Sequence, residues 1–296
     1  MQIESLKVFR DLVETSSFSK AARSNSITQS AVSQQVRGWE ERFGLPLIDR
    51  SGKQFALTRE GVLFYQTAKK MIDDFDAFQH GLAEMRNVVA GPIRVSAVYS
   101  VGLHELPPYL SAFLRAYPSV NVHVEYRRAN QVYEDVAEGA SDLGLVAFPV
   151  TRKGLRVESF RQDRLVLICS ARHRLAGQKE IPIASVAKEK FIGFEPDIPT
   201  RKALDKIFKE NGVEVNPVME YDNVETVKRA VEVDAGVAIV PLASVEQELK
   251  RQTLRTVEFK EEKLYRPLGI LYKGGRILSP AVRRFLDALK EEPPSF

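Results

Sequence analysis

Thr28-Gln29-Ser30-Ala31-Val32-Ser33-Gln34-Gln35-Val36-Arg37-Gly38-Trp39 decides how the first part of this chain reads. Val32, Val36 and Trp39 stand at i, i+4 and i+7, one apolar stripe of a helix, and Thr28 is a good N-cap for it. The opposite side carries Gln29, Ser30, Ser33, Gln34 and Arg37, short or amide side chains that both donate and accept. An amide can pair bidentately with adenine and an arginine with guanine, so this face suits base edges in a major groove. The competing reading is a polar face that only meets water. Such a face normally carries Glu and Lys, and this one has neither between Gln29 and Trp39.

Upstream, Leu6, Phe9, Leu12 and Val13 recur at helical spacing and predict an amphipathic helix over 3–14. Ser17 and Ser19 can cap a short second helix that buries Phe18, Ala21 and Ala22, whose small side chains let two helices cross closely. Asn25-Ser26 then turns the chain and Ile27 pins the turn. Downstream, the third helix runs to about Arg42. Leu45 to Arg50 and Phe55-Ala56-Leu57 flank Ser51-Gly52-Lys53-Gln54, two short strands around a turn that make a wing. Arg50 and Lys53 would meet phosphates there, fixing register without reading sequence. Thr58 can cap a helix from Arg59 to about Val88. On it Phe64, Ala68, Met71, Phe75, Phe78, Leu82 and Met85 follow steps of four and three, a seam suited to a partner helix. The alternative is a helix folded back on its own domain. Gly91-Pro92 ends it.

The 296 residues suffice for two or three domains, and 44% hydrophobic with 28% charged residues is ordinary for a globular protein. Residues 1–59 hold nine Lys and Arg against six Asp and Glu, so they carry three of the four net positive charges. No acidic residue lies between Glu14 and Glu40, which suits a surface that approaches phosphates. The lone Cys169 sits in an apolar run and reads as a buried structural thiol. No run approaches eighteen apolar residues, and Met1 to Ser5 lack a secretory signal's basic flank and apolar stretch. No membrane contact is expected, and the cytoplasm is the expected location.

These residues resemble the LysR-type transcriptional regulators. The likeness rests on Ser17 to Ala22, Ile27 to Val36, Trp39-Glu40, Phe43 to Arg50 and Leu57 to Gly61. It extends over the whole chain, although most of its specificity lies in residues 1–65. Trp39 and Ile48 stand where the family more often has leucine and phenylalanine, and Gln34 where many members have arginine. The resemblance implies a winged helix-turn-helix DNA-binding domain at 1–58, a linker and dimerisation helix at 59–90, and an effector-binding domain at 91–296. That last part would be a periplasmic-binding-protein-like pair of α/β subdomains joined by two crossing strands. Subdomain I would hold about 92–161 and 265–296, and subdomain II about 162–264.

Residues 92–296 themselves alternate between strand and helix patterns, as in a mainly parallel sheet flanked by helices. Strands are expected at 93–98, 120–126, 143–147, 165–170, 191–194, 218–221, 237–240 and 268–272. Helices are expected at about 103–117, 130–139, 200–211, 223–233, 244–250 and 279–290. Open α/β sheets bind ligands at the carboxyl ends of strands, where loops meet helix starts. Ser100, beside Val101, and Thr200 would each offer a hydroxyl and backbone N–H groups there, with Arg201 as a counter-charge. Asn130, Ala147, Phe148 and Phe194 are placed to line the same cleft. A small organic or inorganic anion is the ligand this chemistry suits, although Glu195 and Asp197 oppose a strongly anionic one. In the competing reading Ser100, Asn130 and Thr200 are plain N-caps, each worth ~1 kcal/mol to its helix.

An α/β enzyme is the rival class. His80, His104, His123 and His173 are scattered without metal-ligand spacing, and no Gly-x-Ser-x-Gly elbow or phosphate-binding glycine loop is present. No catalytic residue, cofactor or metal is expected. A DNA-binding protein without a ligand is a third reading, and the length of the sensor half opposes it. The sequence is best read as a DNA-binding transcriptional regulator switched by a small effector. It would bind a promoter dyad in double-stranded DNA as a homodimer through the linker helix, with the family resemblance implying homotetramers.

Overall fold

The computed structural model describes residues 2–51, 55–85, 89–261 and 263–292. The chain divides into two compact units, Met1–Val88 with Arg276–Ser279, and Val89–Gly275 with Pro280–Phe296.

The first unit contains α1 (Ile3–Thr15), α2 (Phe18–Ser24), α3 (Gln29–Phe43), β1 (Ile48–Asp49), β2 (Ala56–Leu57) and α4 (Arg59–Met85). Three hydroxyls start its helices. Ser17 Oγ accepts from the Lys20 N–H at 3.4 Å, Thr28 Oγ1 from Ala31 at 3.2 Å, and Thr58 Oγ1 from Gly61 at 2.9 Å. Each satisfies a backbone donor that the helix itself leaves unpaired. Leu6, Phe9 and Leu12 of α1 meet Ala21 and Ala22 of α2 and the Val32, Val36 and Trp39 stripe of α3 in one core. Each large apolar side chain buried there contributes ~1.5–3 kcal/mol. Glu40, just past the exposed face of α3, holds the wing. Its Oε1 accepts from the Leu47 and Ile48 N–H groups at 2.9 and 3.2 Å, and its Oε2 from Arg50 at 2.7 Å. β1 and β2 pair antiparallel, Ile48 opposite Leu57.

The seam on α4 divides between two tasks. Ala68 and Ile72 are buried in the core just described, and Phe64 packs edge-on against Phe9, ring centroids 4.9 Å apart. That stretch folds back on its own unit, because Phe9 of α1 and Trp39 of α3 are covered by Phe64 of α4. Further along, Met71, Phe78 and Leu82 are exposed and Phe75 is half-buried. The Met85 side chain lies outside the described residues.

The second unit begins with β3 (Gly91–Val98), α5 (Tyr99–His104), α6 (Pro107–Ala116), β4 (Val120–Arg127), α7 (Ala129–Glu138) and β5 (Leu143–Ala147). The single helix expected over 103–117 is two, because Pro107 and Pro108 lack N–H donors and open a new first turn. β6 (Leu155–Ser170) follows, then β7 (Glu180–Ile181), a 3-10 turn, β8 (Phe191–Phe194), α8 (Pro199–Glu210), β9 (Pro217–Tyr221) and α9 (Val224–Glu232). The chain closes with β10 (Ala238–Pro241), a second 3-10 turn, α10 (Glu246–Lys250), β11 (Leu254–Phe259), β12 (Leu264–Lys273) and α11 (Pro280–Lys290).

β3 pairs parallel with β4 and β5. β12, however, runs antiparallel to both β5 and β6, so the sheet is mixed where the sequence pattern predicts a mainly parallel one. The physical reason is the connectivity: one strand carries the chain outward and another returns it, and neighbours of that kind must be antiparallel. β6 is far longer than the expected 165–170, and its first part, Leu-Arg-Val-Glu-Ser-Phe-Arg-Gln-Asp-Arg, is too charged to read as a buried strand. β7 and β11 also escape the pattern, being short or half-exposed.

Two sets of buried side chains lie at opposite ends of β6. Val132, Tyr133, Val136 and Val146 gather with Leu155 and Leu271. Leu165, Leu167 and Cys169 gather with Phe191, Leu204, Phe208 and Ile239. The second unit is thus two α/β halves that share the β6–β12 ladder.

Two glycines in the first unit carry opposite expectations. A Cβ at Gly61 would lie 1.9 Å from the Leu47 carbonyl oxygen, whereas one at Gly38 would meet nothing within 4 Å. Gly61→Ala should lower the melting temperature by more than about 5 °C, and Gly38→Ala should stabilise α3 by roughly 0.5–1 kcal/mol, both read by circular dichroism. Burial pushes the Cys169 thiol up to about 11. At pH 8 it should therefore react with a thiol reagent only at the rate of unfolding; rapid labelling of the folded chain would contradict its placement.

Candidate functional site

Two sites follow from these elements, one in each unit. In the first, α3 presents Thr28, Gln29, Ser30, Gln34 and Arg37 as exposed residues, with Ser33 half-buried beside them. Ser19 Oγ donates to Gln29 Oε1 at 3.2 Å, and the Thr28 and Ser30 hydroxyls lie 2.8 Å apart. The face is polar, carries Arg37 and has no carboxylate until Glu40, which the wing engages. Arg50 is exposed and held by Glu40, so its guanidinium has a fixed direction at the base of the wing. Lys53 lies outside the described residues.

In the second unit a cavity of about 310 Å³ opens between the two halves. Ser100, Asn130, Ala147, Phe194 and Thr200 line it, five of the eight positions named from sequence. The other three lie elsewhere. Val101 is fully buried and packs into the core at the start of α5. Phe148 turns away with φ near 51°, its N–H donating to the Pro267 carbonyl at 2.8 Å. Arg201 is not a counter-charge for the cavity. Its Nη1 donates to Glu220 and to the Phe194 carbonyl, and its Nε to Asp205. Neighbouring carboxylates were close enough to hold it, and a helix turns its second and third residues to different sides.

Nor do Ser100, Asn130 and Thr200 act as helix caps. The N-caps of α5, α7 and α8 are Val98, Arg128 and Ile198. Ser100 Oγ instead accepts from Arg266 Nη1 at 2.9 Å. Thr200 is buried at the cavity wall.

Sequence reasoning missed the residues that set the charge of the cleft. Arg127, Arg128, Lys202 and Arg266 line it with Asp197 and Asp222, while Arg127 is also paired with Glu125 and Asp135, and Arg266 with Asp163. Arg128, the residue between β4 and α7, reaches across the mouth to Glu195 at 2.8 Å, Asp197 at 3.1 Å and Asp222 at 3.7 Å. Donating a hydrogen bond to the Glu195 carboxylate holds the Arg128 guanidinium above its usual range. The two acids that seemed to oppose an anion are therefore each paired with one shared cation from the facing half, which offsets part of their charge. A second bridge joins the halves where His104 Nε2 meets Glu225 Oε1 at 2.8 Å. Glu225 also pairs with the buried Lys228, which in turn meets Glu248 at 3.1 Å. The doublet Arg127-Arg128 after a strand was a usable signal; Arg266 inside an apolar strand was another, since a charge there needs a buried partner.

No described helix is long and apolar enough to cross a membrane. Residues 3–62 match the bacterial regulatory helix-turn-helix protein, lysR family, and residues 86–294 match the LysR substrate binding domain. Among curated relatives, the transcriptional activator CmpR of Synechocystis is 28% identical over 97% of this chain and 94% of its own length. The regulator CysL of Bacillus subtilis is 28% identical over 92% of this chain and 91% of its own length. Among solved structures, a full-length OxyR variant from Pseudomonas aeruginosa covers 98% of this chain and 93% of its own, with TM-score 0.75 and 18% identity. The Synechocystis CcmR regulatory domain in complex with 2-PG covers 68% of this chain and 96% of its own, with TM-score 0.62 and 26% identity. A helix-turn-helix with an acid-free polar face, followed by a two-half α/β unit around a cationic cleft, thus belongs to the LysR-type transcriptional regulators, with a DNA-binding domain and an effector-binding domain.

Proposed function

We propose that α3 reads bases in the major groove and that a small organic or inorganic anion, bound in the cleft of the second unit, controls the outcome at the promoter. The single observation that carries the DNA part is the exposed row from Gln29 to Arg37, apolar on its buried side and free of carboxylates on its outer side. Amides and a guanidinium in that position specify bases, whereas Arg50 and Lys53 at the wing hold phosphates and fix register. The residues assigned to DNA are Thr28, Gln29, Ser30, Ser33, Gln34, Arg37, Arg50 and Lys53.

The anion part rests on the excess of cations in the cleft lining and on Ser100, Asn130 and Thr200, whose polar groups border it without capping a helix. The similar CcmR regulatory domain is found in complex with a small molecule, 2-PG. An effector that binds two arrangements of the halves with different affinity shifts their populations, which is what control by a ligand requires. In this reading 1–58 meets DNA, 59–90 pairs two chains, and 91–296 senses, with 92–161 and 265–296 as one half and 162–264 as the other. The protein then works in the cytoplasm as a homodimer, two of which assemble into a tetramer. Support for pairing comes from the exposed Met71, Phe78 and Leu82 on one long helix, a patch that water alone does not explain.

Gln29→Ala and Ser33→Ala should each weaken operator binding by ~1–3 kcal/mol while leaving random-sequence binding nearly unchanged. Arg50→Ala should weaken both and reduce the slope of log K against log salt by roughly one. Electrophoretic mobility shifts across a salt series measure this, and equal losses on operator and random DNA for the first pair contradict the assignment of α3. Phe78→Glu with Leu82→Glu should shift the chain to a smaller assembly in light scattering; an unchanged mass contradicts pairing through α4.

A further inference from the structure

Arg266 differs from the other polar groups at the cavity, because it stands on a strand that crosses between the two halves. It lines the cavity, yet only 3% of its side chain is exposed. Nε and Nη2 donate to Asp163 Oδ2 at 3.1 and 2.7 Å, and Nη1 donates to Ser100 Oγ at 2.9 Å. A guanidinium has five N–H groups, so these three bonds leave one on each terminal nitrogen for a further acceptor.

Asp163 is the register partner of Arg266, on the other crossing strand. It is absent from the residues that line the cavity, so the cavity meets the cation while its counter-ion stands behind. Further back Glu105 pairs with Arg161 at 3.0 Å. Burial pushes the Asp163 and Glu105 carboxyls up and the Arg266 guanidinium down. All of these ions have lost water that their partners replace only in part. An apolar pair of similar volume would hold the two strands together as well as a buried ion pair does. The charge on Arg266 is therefore explained by what it faces.

We propose that Arg266 is the anion-recognising residue of the cleft: with Ser100 it takes one carboxylate or phosphoryl group of the effector, and through Asp163 that contact bears on both crossing strands. This rests on the cavity being the effector site. The ligand so defined has one terminal oxyanion at the floor and a body lodged against Phe194, Ile198 and Val224. An oxyanion on Arg266 competes with Asp163 for the guanidinium, so occupancy alters a buried side-chain pair that ties β6 to β12.

The test is isothermal titration calorimetry on the full chain in low-chloride buffer, with sodium phosphate and sodium malonate as separate probes of the phosphoryl and carboxylate arms. Arg266→Met with Asp163→Leu removes both charges at similar volume and should weaken anion binding at least about tenfold, with the far-ultraviolet spectrum unchanged. Asp163→Asn frees the guanidinium and should strengthen binding about threefold or more, the opposite of what a purely structural pair would show. Should the double variant fail to fold, the sign of the Asp163→Asn effect decides alone. Unchanged binding in the double variant, weaker binding in Asp163→Asn, or no response of the unaltered chain to either anion overturns the assignment. Thr200→Val separates the levels: if it weakens binding while the double variant does not, the cavity holds the anion without Arg266. If neither variant changes binding, the cavity is not the anion site either.

Discussion

The antiparallel ladder between β6 and β12 is the constraint on which the sensing unit depends. Its register runs from Leu264 opposite Leu165 to Lys273 opposite Leu155, with one irregularity at Leu268/Gly269. Backbone hydrogen bonds along such a ladder resist shear, so the two halves cannot slide past one another. They can still change their angle, since the ladder is only two strands wide where the cores end. Separate cores at the two ends of β6 make each half stiff, and stiffness on both sides concentrates any motion between them. The cleft exists because neither core extends across that middle stretch.

Charge then follows from geometry. The rim of the cleft is acidic on one half, with Glu195, Asp197 and Asp222, and basic on the other, with Arg128. Their pairing links the two halves across the mouth and offsets part of the acids' charge. His104 and Glu225 form a bridge at another position. Arg128 is 45% exposed, so its bridges are screened by solvent and salt and are worth little as stability. Weak bridges suit a cleft that must open. The buried Arg266–Asp163 pair is different in kind, for it sits where both strands turn from one half to the other and does not meet bulk water.

Much of this was legible in the sequence, and the division is physical. α3, its cap at Thr28 and its apolar stripe follow from contacts within four residues of one another, which periodicity reports directly. The same holds for β5 and β8, short apolar runs whose ends the pattern found. Direction within the sheet was not legible, because antiparallel β12 and parallel β3 carry similar apolar alternation. The break between α5 and α6 lies at Pro107-Pro108, where the apolar spacing runs on without interruption. On α4, Phe64 and Ala68 share one period with Phe78 and Leu82, so no periodicity can say that the first pair is covered within the unit while the second is bare. Arg201 read as a ligand group and is instead enclosed by Glu220 and Asp205, whereas Arg266, 66 positions past Thr200, reaches the cavity. Residues so distant in sequence meet only through the ladder.

The central claim is that the acid-free face of α3 lies against base edges. Dimethyl sulfate protection on the DNA flanking the gene tests it most directly, because the reagent marks guanine N7 in the major groove. Protected guanines are expected in two segments whose centres are one helical turn, roughly 10 base pairs, or a whole number of turns apart. Binding that leaves every guanine N7 open would contradict it.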